Sequence, residues 1–102
     1  MIHVVAIITT KPGMRAAVLE AFNANCPAVR AEDGCIEYGP TVDAEGMGGF
    51  QTKFGADSFV VIEKWRDAAA VKAHAAAPHM AAYAAKVKDM LAGRVIHVLS
   101  PA

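Results

Sequence analysis

Residues 58–66, with the sequence SFVVIEKWR, decide the fold. In an extended chain, alternate side chains point to opposite faces. One face of this segment carries Phe59, Val61, Glu63 and Trp65, and the other begins with Val60 and Ile62. Both faces begin apolar, which is typical of a strand covered on both sides. Residues 2–9 (IHVVAIIT) have the same character. The two segments therefore predict strands inside a sheet of which neither face is open to water.

The segment between these strands contains a helix and a further strand. Met14, Val18, Phe22 and Cys26 recur at every fourth position, which predicts a helix with one apolar stripe. We place Pro12 in its first turn and its end near 27–30. Asp33 and Gly34 then predict a turn, and residues 35–42 a strand that carries Tyr38.

An alanine-rich helical region follows the SFVVIEKWR strand. Asp67 is a suitable N-cap, and Pro78 is expected to interrupt the helix and restart it as a second piece ending near Leu91. The inward stripe of this piece is Met80, Tyr83, Val87 and Met90 or Leu91. We expect Gly93 to end the helix and residues 94–99 to form the last strand.

The predicted order is βαββαβ over residues 1–102, a single α+β domain of the ferredoxin-like type with an antiparallel four-stranded sheet and helices on one face. Two helices cover only one face of such a sheet. The other face is also apolar, and a second copy of the chain is the simplest cover for it. Strand patterning therefore predicts a homodimer.

Residues 43–57 change in composition, with Gly46, Gly48, Gly49 and Gly55 among polar residues. They show neither helical nor strand periodicity and are expected to form a long, mobile connection. Loops of this length are often functional. The segment could be a lid over a binding pocket or an insertion without a function.

Composition excludes several classes of function. The formal net charge is +0, so the chain lacks the basic surface that nucleic acid or an anionic membrane would require. No apolar run reaches the length of a membrane span, and the N-terminus lacks the cationic segment of a signal peptide, which favours a cytoplasmic protein. Nucleotide-binding, serine hydrolase and zinc protease motifs are absent. Small molecules and a second copy remain as partners.

His74 and His79 are the main candidates for chemistry. His74 follows Val71 by one helical turn and is expected to face inward; it could also be a buried histidine bonded to a carbonyl. His79 follows Pro78 and precedes Tyr83 by one turn, so imidazole and phenol share a helix face. A proline breaks the five-residue spacing between the histidines, which does not match a helical zinc pair, and no metal is assigned.

Glu63 and Trp65 share one strand face with Phe59. A buried carboxylate must be paired or hydrogen-bonded. Glu63 could orient a histidine or a substrate hydroxyl, or it could pair with Lys64 or Arg66 of a neighbouring strand or subunit. Trp65 could form a wall for a planar substrate, or lie in the core or a dimer interface.

Three segments carry a family resemblance: residues 33–40 (DGCIEYGP), 59–67 (FVVIEKWRD) and 74–80 (HAAAPHM). Together with the Pro-Gly at the start of the first helix, they resemble the antibiotic biosynthesis monooxygenase superfamily, close to its quinol monooxygenases. The resemblance implies a dimeric α+β barrel with a pocket between sheet and helices. Heme-degrading relatives use a strand-one asparagine, whose position here falls at about Ala6, so a heme site is disfavoured.

The resemblance also implies a reaction without a cofactor, in which a small electron-rich quinol or phenol is deprotonated and its anion reduces dioxygen. In this reading His79 is the base, His74 and Tyr83 are hydrogen-bond donors, and Glu63 orients. Trp65, Tyr38 and Phe59 bind the substrate.

Two other classes of function stay open. An isomerase or lyase acting on a small oxygenated metabolite could use the same histidine and glutamate groups without consuming dioxygen. A dimer that binds a small ligand without turnover is the third possibility.

Overall fold

A computed structural model describes all 102 residues. The chain forms β1 (Ile2–Thr10), α1 (Arg15–Arg30), β2 (Cys35–Thr41), β3 (Ser58–Trp65), α2 (Ala68–Ala75), α3 (Pro78–Val87), a 3₁₀ turn (Lys88–Met90) and β4 (Leu91–Leu99). The strands make one antiparallel sheet in the order β2-β3-β1-β4. This is the predicted ferredoxin-like arrangement, with the helices on one face.

The register of the two central strands explains the apolar pattern of both. β1 and β3 pair from Ile2 opposite Trp65 to Thr9 opposite Ser58. The face toward the helices, here called the inner face, contributes the strand part of the core: Val4, Ala6, Ile8, Tyr38, Phe59, Val61 and Trp65. Helix α1 packs on this face through the predicted stripe members Val18, Phe22 and Cys26, all of them buried.

The start of α1 differs from the sequence-based expectation. The helix begins at Arg15, and Pro12 lies in the preceding turn instead of the first helical turn. Gly13 has φ +77°, which is incompatible with a right-handed helix, so the helix begins after it. The predicted end was correct, and Pro27 lies within the last turn of α1.

The two-piece second helix is confirmed. Asp67 caps α2 by accepting a hydrogen bond from the backbone N–H of Ala70, and Pro78 occupies the first turn of α3. The α-helix itself ends at Val87, and a 3₁₀ turn continues to Met90, one residue before the expected end near Leu91. Gly93 does not end a helix; it lies within β4, which pairs with β1 from Leu91 onward. That pairing draws the chain into the sheet two residues before the glycine.

The sheet face opposite the helices, here called the outer face, is apolar and uncovered by any helix. It presents Val5 and Ile7 of β1, Val60 and Ile62 of β3, and Val95 of β4. Residues 43–57 form no helix or strand, as predicted. None of the helices is both long enough and apolar enough to cross a membrane.

Candidate active site

A cavity of about 650 Å³ lies between the inner face of the sheet and helices α2 and α3. Eighteen of its 22 lining residues are hydrophobic, so the surface that it offers to a ligand is mostly apolar. All four of the others are titratable: Glu63, His74, Lys88 and Arg94. The cavity is therefore apolar with a small number of chemically active groups.

His74 lines this cavity from the last turn of α2 and is only 7% exposed. Its ring lies between two aromatic side chains, with centroid distances of 4.7 Å to Trp65 and 5.4 Å to Tyr38. Its Nδ1 is 2.8 Å from Oε2 of Glu32. Packing and hydrogen bonding together fix the orientation of the imidazole.

Glu32 is the functional residue that sequence reasoning missed. It lies in the turn between α1 and β2, and its Oε2 also comes within 3.3 Å of Nε2 of His79. A buried histidine requires a polar partner, and that requirement was the only available signal. It could not select Glu32 among the acidic residues, because 42 positions separate Glu32 from His74 in the chain.

His79 occupies a different position from the one expected of a base in the pocket. Its side chain does not line the cavity. Both of its ring nitrogens are shielded from solvent and lack a hydrogen bond of good geometry, although Nε2 is close to Glu32. The structure therefore brings His74 to the cavity and places His79 behind Glu32.

Glu63 also lines the cavity and is 6% exposed. Its Oε1 accepts a hydrogen bond of 2.8 Å from Nε1 of Trp65. Burial raises the pKa of Glu63, while the Trp65 hydrogen bond and the nearby His74 partly oppose that shift. The carboxylate that holds the histidine is Glu32, so the expected orienting role of Glu63 toward a histidine is not seen.

The alternative ion pairs considered for Glu63 are not formed within the chain. Lys64 pairs with Glu37 at 3.5 Å, and Arg66 pairs with Asp33 at 3.0 Å. Glu63 is thus a buried carboxyl that lines the cavity and has no cation as an ion-pair partner.

Tyr38 and Tyr83 both line the cavity. Tyr38 stacks on Phe22 with centroids 5.3 Å apart, and Tyr83 meets the edge of the same ring at 5.8 Å. Burial raises the pKa of both phenols, that of Tyr83 to about 12. Each is therefore a neutral hydroxyl at physiological pH and can donate a hydrogen bond.

Two predicted binding residues lie one layer behind the cavity. Phe59 and Trp65 are fully buried and are not part of the cavity surface. Phe59 supports Phe22 in an edge contact at 5.6 Å, and Trp65 supports His74. They shape the cavity through the residues they hold.

The segment 43–57 contributes nothing to this cavity. It borders a smaller recess of about 330 Å³, whose floor includes the outer-face residues Val60 and Ile62. Asp43 closes the segment by accepting hydrogen bonds from the backbone N–H groups of Phe54 and Gly55, at 3.0 and 2.8 Å. The structure therefore separates this loop from the inner cavity that a lid would have to cover.

No three His, Cys, Asp or Glu side chains cluster closely enough to bind a metal ion. The chemistry available at the cavity is instead a buried histidine–carboxylate pair, a second carboxyl and two phenols. The sequence profile of the family described as antibiotic biosynthesis monooxygenase matches residues 1–86. The chain belongs to this family.

Individual relatives cover almost the whole chain. It is 41% identical over 103 residues to the Escherichia coli protein named "Probable quinol monooxygenase YgiN", with 99% of this chain and 98% of that protein aligned. Among solved structures, PA3566 from Pseudomonas aeruginosa superposes with a TM-score of 0.81 at 27% identity, covering 99% of this chain and 93% of the other. Rv0793 from Mycobacterium tuberculosis superposes with a TM-score of 0.80 at 28% identity, covering 99% and 94%. The ferredoxin-like fold of this family member is thus shared with experimentally determined structures.

Proposed function

We propose that this family member is a cofactor-independent monooxygenase that oxidises a small quinol or phenol in the inner cavity. The observation that carries the proposal is that His74, on the wall of an apolar cavity, is paired with the carboxylate of Glu32 behind it. Deprotonation of a phenolic hydroxyl requires a base within hydrogen-bond reach, and reaction of the anion with dioxygen benefits from exclusion of water. The family assignment and the name of the E. coli relative support the same reaction class.

His74 is the base in this proposal. Its Nδ1 donates to the Glu32 carboxylate, which leaves Nε2 without a protein partner and able to accept a proton. Glu32 stabilises the imidazolium that forms, as a buried carboxylate does for a catalytic histidine elsewhere. His79, on the far side of Glu32, is assigned a supporting position next to this carboxylate instead of direct contact with substrate.

The remaining polar groups act on the oxygen atoms of the substrate. Tyr83 and Tyr38 are neutral donors for the developing oxyanion, and Glu63 faces a substrate hydroxyl. The anion passes an electron to dioxygen, a carbon–oxygen bond forms, and the resulting hydroperoxide loses water. For a quinol the balance is quinol plus O₂ to hydroxyquinone plus H₂O.

Oxygen uptake and isotope labelling test the proposal. The purified protein is mixed with chemically reduced 1,4-naphthoquinone, and the His74→Gln variant serves as control. We expect uptake above the uncatalysed background and one ¹⁸O atom from ¹⁸O₂ in the hydroxyquinone. His74→Gln should reduce the rate by about 10²- to 10⁴-fold, the usual contribution of a general base. Absence of oxygen uptake would favour an isomerase, a lyase or a binding protein.

We also propose that the protein works as a homodimer through the outer face. Ile7 lies at its centre, between Val60 of β3 and Val95 of β4. An apolar sheet face of this extent is typical of an interface. Sedimentation equilibrium should show a dimer for the wild type and for Ile7→Val, and a monomer for Ile7→Lys. A monomeric wild type would contradict the proposal.

A further inference from the structure

The acidic and basic residues of the inner cavity lie at two separate ends. Glu63 and His74 stand near Tyr38 on the side of β2 and β3, whereas Lys88 and Arg94 come from the 3₁₀ turn and from β4. Neither cation contributes to the shifted pKa of Glu63. The cavity thus has an acid–base end and a cationic end, with apolar wall between them.

The sheet register sets the separation of these ends. Glu63 pairs with Val4 and Arg94 pairs with Ile8, and β1 lies between the two strands. Two strand spacings of about 4.8 Å and four residues of about 3.4 Å place the Cα atoms of Glu63 and Arg94 roughly 17 Å apart. The sheet itself therefore holds Glu63 and Arg94 at distant points of the cavity wall.

The two cations have no acidic partner in the chain. Three cations on the surface, Lys53, Lys64 and Arg66, form ion pairs with carboxylates. Neither Lys88 nor Arg94 has a carboxylate oxygen within the 4.0 Å that defines an ion pair. Arg94 belongs to the inner face of β4, opposite Ile8, and Lys88 begins the neighbouring 3₁₀ turn; both residues are exposed, so their charges lie at the open rim of the cavity beside its apolar wall. Two unpaired cations beside an apolar cavity provide an attractive site for an anion.

We propose that the substrate carries a carboxylate, which Arg94 and Lys88 bind while its phenolic hydroxyl faces His74. This inference rests on the proposed function and specifies its substrate class as a hydroxyaromatic acid. The planar guanidinium of Arg94 matches a carboxylate in two-point geometry, and Lys88 adds a point charge. The cations therefore select the substrate and fix its direction in the cavity.

Equilibrium binding tests this substrate class without depending on turnover. Trp65 is the only tryptophan and packs on His74, so its fluorescence reports occupancy of the acid–base end. The probes are 6-hydroxy-2-naphthoate and its neutral carboxamide. We expect the carboxylate to bind at least tenfold more tightly than the carboxamide. This preference, which corresponds to about 1.4 kcal/mol, should fall to within twofold in the double variant Arg94→Met, Lys88→Met, because the variant lacks both positive charges that would attract the carboxylate.

The control variant is Lys86→Met, which removes an exposed charge of α3 that does not line the cavity. It should keep the full preference for the carboxylate. Equal binding of the two probes to the wild type would overturn the inference, as would an equal loss for both probes in the double variant. A preserved preference in a protein that consumes no oxygen would support the anion site while refuting the monooxygenase proposal, so the two failures are distinguishable.

Discussion

Replacing Glu32 by Gln tests whether the carboxylate beside His74 assists catalysis. The hydrogen bond between Nδ1 of His74 and Oε2 of Glu32 is 2.8 Å long, and the two side chains are 9% and 16% exposed. Gln keeps an oxygen that can accept this hydrogen bond but removes the negative charge. The substitution therefore tests the effect of the negative charge while the size and shape of the side chain stay the same.

The magnitude follows from the type of hydrogen bond. A bond to a charged group contributes about 1.5–3 kcal/mol and a neutral bond about 0.5–1.5 kcal/mol, so the loss is about 1–1.5 kcal/mol. This loss applies to the transition state, in which His74 becomes an imidazolium. Since 1.36 kcal/mol corresponds to tenfold in rate, kcat should fall by about tenfold. KM should change by less than twofold, because Glu32 does not line the cavity.

The assay is steady-state oxygen uptake with reduced naphthoquinone, accompanied by urea unfolding of each variant. Glu37→Gln is the matched control, since Glu37 is an exposed carboxylate of β2 paired with Lys64. It should retain wild-type kcat. A kcat for Glu32→Gln within twofold of the wild type would refute the reasoning, and an equal fall in Glu37→Gln would show that the effect is not specific to the His74 pair.

Three further predictions concern the buried carboxyl, a turn and the loop. Because burial raises the pKa of Glu63 above its ordinary 4.5, the wild type loses stability as pH rises through the folded-state pKa. Glu63→Gln should therefore gain free energy of unfolding relative to the wild type between pH 4.5 and pH 8 in urea titrations, and a constant difference would contradict this. Gly34 has φ +86°, and a Cβ there would lie 2.6 Å from Cβ of Ala70. Gly34→Ala should thus lower the free energy of unfolding by more than the roughly 1–2 kcal/mol that a left-handed backbone alone costs a residue with a Cβ. Gly13→Ala measures that backbone cost by itself, because a Cβ at Gly13 would meet no atom within 4 Å. Equal losses for the two variants in urea unfolding would show that the clash at position 34 is relieved. Asp43→Ala should speed proteolysis within residues 43–57 without changing the affinity for ligand in the inner cavity, measured by Trp65 fluorescence. Weaker ligand binding would indicate that the loop does reach the cavity.

Predictions from the sequence were most accurate for features that depend only on neighbouring residues in the chain. The apolar period of α1, the N-cap at Asp67 and the break at Pro78 each depend on residues within a few positions, and each was predicted correctly. The errors have a non-local cause. At the end of α3, pairing of Leu91 with Thr10 of β1 begins the strand before Gly93 is reached, and no local pattern records that pairing.

In the candidate site too, local sequence patterns predicted some features and only the tertiary structure showed the others. The sequence by itself determined that His74 and Tyr83 face inward, because helical periodicity places them there, and that Glu63 shares a strand face with Phe59 and Trp65. Since both faces of that strand are apolar, only the structure showed that the Glu63 face is the inner one. Only the tertiary structure decided that Glu32 holds His74, that His79 lies outside the cavity lining, and that Trp65 lies behind the cavity surface and donates a hydrogen bond to Glu63. These contacts join the α1–β2 turn, β3 and α2, so they exist only after the helices pack on the sheet and burial forces each polar group to find a partner.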